Sequence, residues 1–460
     1  MAKILIGGDL VPTESNYEYF INKNIETIIG KELKKIFDIH DFKIFNLEVP
    51  LTQNYTPIRK WGVNLLAPPT TINGIKEMGI DFVCLANNHI LDQGVQGVKS
   101  TLEILQENRI AYAGGGMSLY DAKKTYSFEL DNVCIGLYCC TEHEFSIATD
   151  HSAGANPFDS INSFDHVEQL KEQSDRVIVL YHGGKEHFPY PTPYLQKVCR
   201  KFIEKGADMV ICQHSHCIGC EEKYLDGTIV YGQGNFLFDY LDIECWNNGL
   251  LISLNVDVDK MEVEYIPVIR NRNCVRIAND NEATELLKDF MIRSDCIIEE
   301  KFIQAQFEQM ALKESDMYLE SLKRGVFERI ENYINCETHR EILLAGIQLR
   351  SKWKVNSIRQ CYKNRKLVIW GTGDNGKEVC REMIKCGIIP NLFCDNDKNV
   401  WGKNILGIKC ISPQELKVRY ESDMLVQIAS MYEVDIAQQL TELGCANYMM
   451  YSEFKKINGC

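Results

Sequence analysis

The sequence predicts an α/β protein, on two observations. Apolar runs of three to six residues, rich in Ile, Val and Phe, recur through residues 1–272, and amphipathic stretches separate them. Such runs read as buried strands, and their alternation with helical stretches is the signature of an α/β domain.

In chain order, the strand candidates are Ile4–Ile6, Phe42–Phe45, Phe82–Leu85, Val133–Tyr138, Val177–Tyr181, Met209–Cys212 and Thr228–Tyr231. Between them, Ile25–Phe37 sets Ile28, Ile29, Leu33 and Ile36 on one helical face. Val95–Glu107 does the same with Val95, Val98, Leu102 and Leu105. The later stretch NGLLISLNVDVDKMEVEYIPVIR alternates like antiparallel strands, which predicts a mixed sheet or two packed sheets. From residue 280 to 360 the chain is dense in Glu, Lys, Leu, Ile and Met and has no Pro, so it reads as a helical linker or subdomain. A third unit starts near Lys366. The expected divisions are 1–272, 273–362 and 363–460.

The 460 residues carry a formal net charge of −14, which argues against nucleic acid and against an anionic membrane surface as partners. No apolar stretch approaches the ~18 residues that a membrane helix needs. The opening MAKILIGGDLVPTE does not read as a secretory leader, so the expected location is cytoplasmic. In a reducing compartment the 19 cysteines read as small buried hydrophobes. Cys212, Cys217 and Cys220 have a spacing found in some iron–sulfur ligand sets, but no fourth cysteine is placed to complete one.

Side chains able to bind metal sit directly behind five strand candidates. Asp9 follows Gly7 and Gly8, Glu48 follows Asn46 and Leu47, Asn88 and His89 follow Asn87, His182 follows Tyr181, and His214 and His216 follow Gln213. In open α/β sheets the ligand site lies outside the carboxyl ends of the strands, so these residues are expected on one rim. Read singly, Asp9 is more simply a turn or cap residue, Glu48 a surface residue and His182 part of a glycine loop. His214 and His216, two apart on an expected extended segment, point the same way and can pinch a metal. Carboxylates, an amide oxygen and imidazoles together suit Mn, Fe or Zn. Two such ions roughly 3.5–4 Å apart would activate a water and clamp the oxyanion it attacks.

The stretches GGDLVP, FNLEVPLT, LANNHILDQG, TEHEFS with GANPFD, YHGGKEHFPYP and CQHSHCIGCEEKYLDGTIVYGQGNFLFD occur in that order. In order and spacing they resemble the CapA family, named for poly-gamma-glutamate capsule synthesis and similar in fold to calcineurin-like metallophosphoesterases. The resemblance implies a four-layer αββα sandwich with one or two divalent ions at its rim. Asp9, Glu48, Asn88, His182, His214 and His216 would be the ligands, with Glu48 where the phosphoesterases have a bridging aspartate. His89 would protonate the leaving group, oriented by Asp92, and Glu186 would contact substrate or support the ligands. Asn235 would hold its loop. The phosphoesterases begin Asp-x-His, whereas Val11 stands at the third position here. Two functions follow as expectations. One is a metal-dependent hydrolase of a phosphoester or amide bond in capsule, poly-gamma-glutamate or surface-polymer metabolism. The other is a non-catalytic scaffold or sensor that binds a polymer or nucleotide sugar within the capsule-synthesis machinery.

Near the C-terminus, WGTGDNG supplies Gly371, Gly373 and Gly376 behind the strand candidate Leu367–Trp370 and ahead of a predicted helix, Lys377–Lys385. Backbone amides in that context can hold a phosphate. Asp395, behind Leu392–Cys394, stands where an acidic residue can bind a ribose hydroxyl. The unit resembles the small Rossmann-like domains of sugar-modifying and capsule enzymes, down to the continuation GIKCISPQEL. A nucleotide or nucleotide sugar is its expected ligand.

Overall fold

Each strand candidate of the first unit is a strand, and together they build two sheets. A computed structural model describes residues 1–458 except 241, 242, 326 and 328. The first sheet runs in the order Cys274–Ile277, Met261–Asn271, Asn248–Val256, Ala2–Leu10, Phe42–Leu47, Phe82–Cys84, Ala111–Ala113, and Asn235–Leu237 also pairs with Ala2–Leu10. The second runs Glu221–Tyr224, Gly227–Tyr231, Met209–Gln213, Arg176–His182, Val133–Thr141, Tyr126–Leu130. The first is parallel from Ala2–Leu10 to Ala111–Ala113 and antiparallel beyond, and the second is parallel at its centre and antiparallel at both edges.

Side-chain alternation explains why the runs are apolar throughout. Ile4, Ile6, Ile44, Phe82 and Cys84 meet Ile178, Leu180, Met209 and Ile211 in a core between the sheets. Their neighbours Leu5, Phe45, Val83 and Leu85 face outward onto a helical layer, as Val179, Tyr181 and Val210 do on the other side. Strands buried on both faces have no polar side to show. The outer layers contain Ile25–Asp38 and Gly94–Asn108 on one side and Asn162–Lys171 and Pro193–Glu204 on the other. The result is the αββα order.

Two helical faces differ from expectation. Gly30 has φ 71° and ψ 163°, which breaks Ile25–Asp38 and turns Phe37 into the core in place of the half-buried Ile36. Val95 is exposed in the first turn of Gly94–Asn108, whose buried stripe runs through Val98, Leu102 and Leu105.

The chain divides into two compact units, 1–346 and 347–460. Within the first unit, the helices Asp280–Cys296 and Glu300–Arg324 pack onto the sandwich. Phe290 joins Ile218 and Leu250, while Phe307, Met310, Tyr318, Tyr333 and Ile342 enclose Phe145. In the second unit a parallel sheet is ordered Ile408–Ile411, Leu392–Cys394, Lys366–Trp370, Met424–Ile428, Tyr448–Met449, with Asn404–Ile405 antiparallel at its edge. Numbered along the chain the parallel strands read 3-2-1-4-5, the doubly wound order.

Candidate metal centre

The six residues expected as ligands come together, and each sheet contributes one kind of donor. Asp9, Glu48 and Asn88 stand at strand ends of the first sheet, and His182, His214 and His216 at strand ends of the second. Asp9 reaches the rim through a bulge. Ile6 lies opposite Ile44 but Asp9 lies opposite Asn46, so the first strand holds one extra residue at Gly7–Gly8. A Cβ on Gly7 would sit 1.9 Å from the Phe45 ring and one on Gly8 2.1 Å from the Gly234 carbonyl, so neither position accepts a side chain.

The His182 Nε2 atom lies 3.1 Å from Asn88 Oδ1, 3.1 Å from His214 Nδ1 and 3.3 Å from Glu48 Oε1. His216 Nδ1 is 3.3 Å from Asp9 Oδ2 and 2.9 Å from Asn235 Oδ1. Donor atoms of Glu48, His214 and His216 lie within 4.8 Å of one another. The two last histidines converge differently from expectation. His214 and His216 have φ 88° and 54°, so a left-handed turn rather than strand alternation brings their rings to one place.

The electrostatics fit a cation. Asp9 and Glu48 are 1% and 0% exposed, and Asp9 Oδ2 and both Glu48 carboxylate oxygens have no hydrogen-bond partner among the described residues. Burial raises the Asp9 carboxyl, yet His216 and His182 outweigh it and hold Asp9 at about 2. Burial and the Asp9 charge push Glu48 well above the carboxylate range. Burial holds His182 and His214 down at about 4, so each is a neutral imidazole with one unprotonated ring nitrogen to offer a cation. Against the same burial, Asp9 and Glu48 lift His216 to about 9. With two acidic side chains facing imidazoles, a divalent ion can replace the His216 proton as counter-charge.

His89 and Asp92 form the expected pair, with His89 Nδ1 2.6 Å from Asp92 Oδ2. Burial keeps the His89 ring below its ordinary value. Glu186 lines, with Asn88, His89, His214 and His216, a cavity of about 270 Å3. Several contributors carried no role in the sequence reading. Lys60 pairs with Asp92 and also lies 3.2 Å from His89 Nδ1. Asn46 donates to Asp9 Oδ1 at 2.7 Å and is itself held by Asn87 at 3.0 Å. Trp246 packs 4.3 Å from the His216 ring. The Asn46 signal was its place two residues before Glu48, whereas Lys60 lies in PIRKWG, a segment without a regular period.

Cys212 and Cys220 lie in the outer core of the second sheet, and Cys212 Sγ contacts Cys199 Sγ at 3.5 Å, as small hydrophobes do. In the second unit Gly371 has φ 117°, and a Cβ on Gly376 would meet the Gly371 carbonyl at 1.9 Å, so both serve the tight strand-to-helix turn. Gly373 caps the helix Asp374–Lys385. Asp395 accepts from Thr372 N and Oγ1, both at 2.7 Å, so its carboxylate holds the glycine loop. The loop and Asp395 line one cleft with Asp374 and Asp435.

Residues 3–240 match the family described as Bacterial capsule synthesis protein PGA_cap, and residues 363–451 match one described as C2185-like, N-terminal. The PGA biosynthesis protein CapA of Bacillus subtilis is 30% identical over 217 residues, covering 46% of this chain and 57% of that protein. The Capsule biosynthesis protein CapA of Bacillus anthracis is 29% identical over 209 residues, covering 43% and 51%. The chain thus spans about half the length of these curated relatives. A solved putative 5'-nucleotidase from Staphylococcus aureus aligns at TM-score 0.37 and 16% identity, over 63% of this chain and 58% of its own.

Proposed function

This chain belongs to the bacterial capsule synthesis protein family through residues 3–240, and from that premise we propose that its rim is a metal-dependent hydrolytic centre serving capsule or poly-gamma-glutamate metabolism. The bond would be a phosphoester or an amide of a surface polymer. One observation carries the reading: three buried carboxylate oxygens of Asp9 and Glu48, without hydrogen bonds among the described residues, lie beside His182, His214 and His216 at converging strand ends.

Asp9, Glu48, Asn88, His182, His214 and His216 would hold one or two ions of Mn, Fe or Zn. Such an ion supplies positive charge that acidifies water and polarises the scissile group. The protein's own residues do the rest. Asn46 and Asn235 fix the Asp9 carboxylate and the His216 ring. Asp92 takes the Nδ1 side of His89, which leaves Nε2 to exchange a proton in the cavity that His89 lines. Lys60 anchors Asp92 from the other side. Glu186 would contact the substrate. No helix among the described residues is long and apolar enough to cross a membrane, and a place beside the capsule-synthesis machinery follows from the family alone.

A second reading rests on Val11. It is 1% exposed in the outer core, so no ligand is available where the phosphoesterases have a histidine. On that reading the protein is a scaffold that binds a polymer, with a nucleotide or nucleotide sugar at Gly371, Gly373 and Gly376. Metal-loaded protein assayed on phosphodiester, phosphomonoester and poly-gamma-glutamate substrates separates the two. Turnover that disappears in Asn88→Ala and His214→Ala supports the hydrolase; metal binding without turnover on any of the three supports the scaffold.

A further inference from the structure

Beyond the rim, the helical segment meets the TEHEFS stretch in a second cluster of donors. Glu144, Cys336 and His339 each offer an atom within 4.8 Å of the others. Glu144 Oε1 lies 3.1 Å from His339 Nε2, while its Oε2 has no hydrogen-bond partner among the described residues although the side chain is only 9% exposed. His339 Nδ1 is likewise without one. The rings of Tyr318 and Tyr333 pack 4.4 and 4.6 Å from His339. Cys336 is 1% exposed, and its Sγ lies 3.6 Å from Glu142 Oε2.

The surroundings are short of positive charge. Glu142, Glu144 and Glu337 are all buried here. Glu337 contacts His143 at 2.9 Å, and Glu142 accepts from Thr338 and the Gly184 amide. Burial and the neighbouring Glu337 push Glu142 up to about 8, whereas His214 and His339 overcome burial and hold Glu144 below the usual range. By geometry alone, Glu144 Oε2 is the carboxylate oxygen of this cluster that no described residue hydrogen-bonds. An imidazole, a carboxylate and a thiol at the wall of the cavity that His89 and His214 also line form a zinc-type donor set.

We propose that Glu144, Cys336 and His339 bind a thiophilic divalent cation of the zinc class, separate from the rim centre and built in part from the helical segment. Its donors do not overlap with Glu48, His214 and His216, although Glu144 Oε1 stands 3.9 Å from His214 Nε2. Coordination takes the proton from the Cys336 thiol to solvent and forms an S–metal bond. The cation would tie the helix Glu337–Cys361 to the loop behind Val133–Thr141 and so fix one wall of the cavity. This assignment does not depend on the rim being hydrolytic.

The test is cobalt(II) titration of the full chain after chelation, read by near-ultraviolet absorption and elemental analysis. The six rim donors contain no sulfur, so a thiolate-to-cobalt band does not come from the rim, and its loss in Cys336→Ser assigns it to this site. Wild type is expected to show the band, Cys336→Ser to lack it while keeping rim cobalt, and His214→Ala with His216→Ala to keep it while losing rim cobalt. His339→Ala is expected to weaken the band-forming site at least tenfold, which provides a second variant if Cys336→Ser does not fold. A cobalt-saturated wild type without the band, or a band unchanged in Cys336→Ser or His339→Ala, overturns the proposal.

Discussion

Lys60 and Asp92 form an ion pair whose side chains are 1% and 0% exposed, directly behind His89. Removing one member of such a pair leaves a buried charge uncompensated, at about 3–5 kcal/mol. Asp92→Asn is therefore expected to destabilise the fold by that amount in urea unfolding. Adding Lys60→Met should recover part of the loss. Two losses that simply add would show that the pair is not coupled.

Metal content is the second expectation. Protein purified without chelator should carry Mn, Fe or Zn, and His214→Ala with His216→Ala should lose the rim share of it. Stripping the metal should also lower Tm, because an ion that binds only the folded state stabilises it. An unchanged Tm after complete removal would contradict a buried centre.

Asn46 touches Asp9 from the side away from His216. Residues that hold a ligand in place typically contribute about 10–100-fold in metal affinity. Asn46→Ala is expected to weaken rim binding within that range in a competitive chelator titration, and full retention of affinity would assign Asn46 to packing alone.

The bulge that carries Asp9 should tolerate no added carbon. Gly8→Ala places a methyl against the Gly234 carbonyl, and overpacking of this kind costs about 1–3 kcal/mol or more. Thermal unfolding should show a clearly lowered Tm together with reduced metal uptake. A normal Tm would mean that the two backbone segments separate readily.

The parts of this protein that were legible in the sequence are those with a period or a fixed place in the chain. Ile4–Ile6, Phe82–Leu85 and Met209–Cys212 are strands because each is covered on both faces and therefore apolar throughout. The six rim residues were visible because each follows such a run. Ile36 and Val95 misled because helical spacing says nothing of the break at Gly30 or of an exposed first turn. Lys60, Glu144 and His339 gave little sign of their roles. Their partners lie far along the chain, and no local pattern encodes the packing of the helix Glu337–Cys361 against TEHEFS. The left-handed turn at His214 and His216 was hidden for a related reason, since its residues are not the glycines that usually announce one.

The division of donors between the sheets bears on how the protein is made. Asp9 and His216 lie at opposite ends of a long stretch of chain, and contacts so distant form late because loop closure must precede them. During synthesis the first sheet's oxygens emerge well before the last imidazole. The centre can then assemble only once both sheets have docked. Metal uptake would mark completed folding of this unit, and a nascent chain halted before residue 216 would hold its carboxylates without the means to retain an ion.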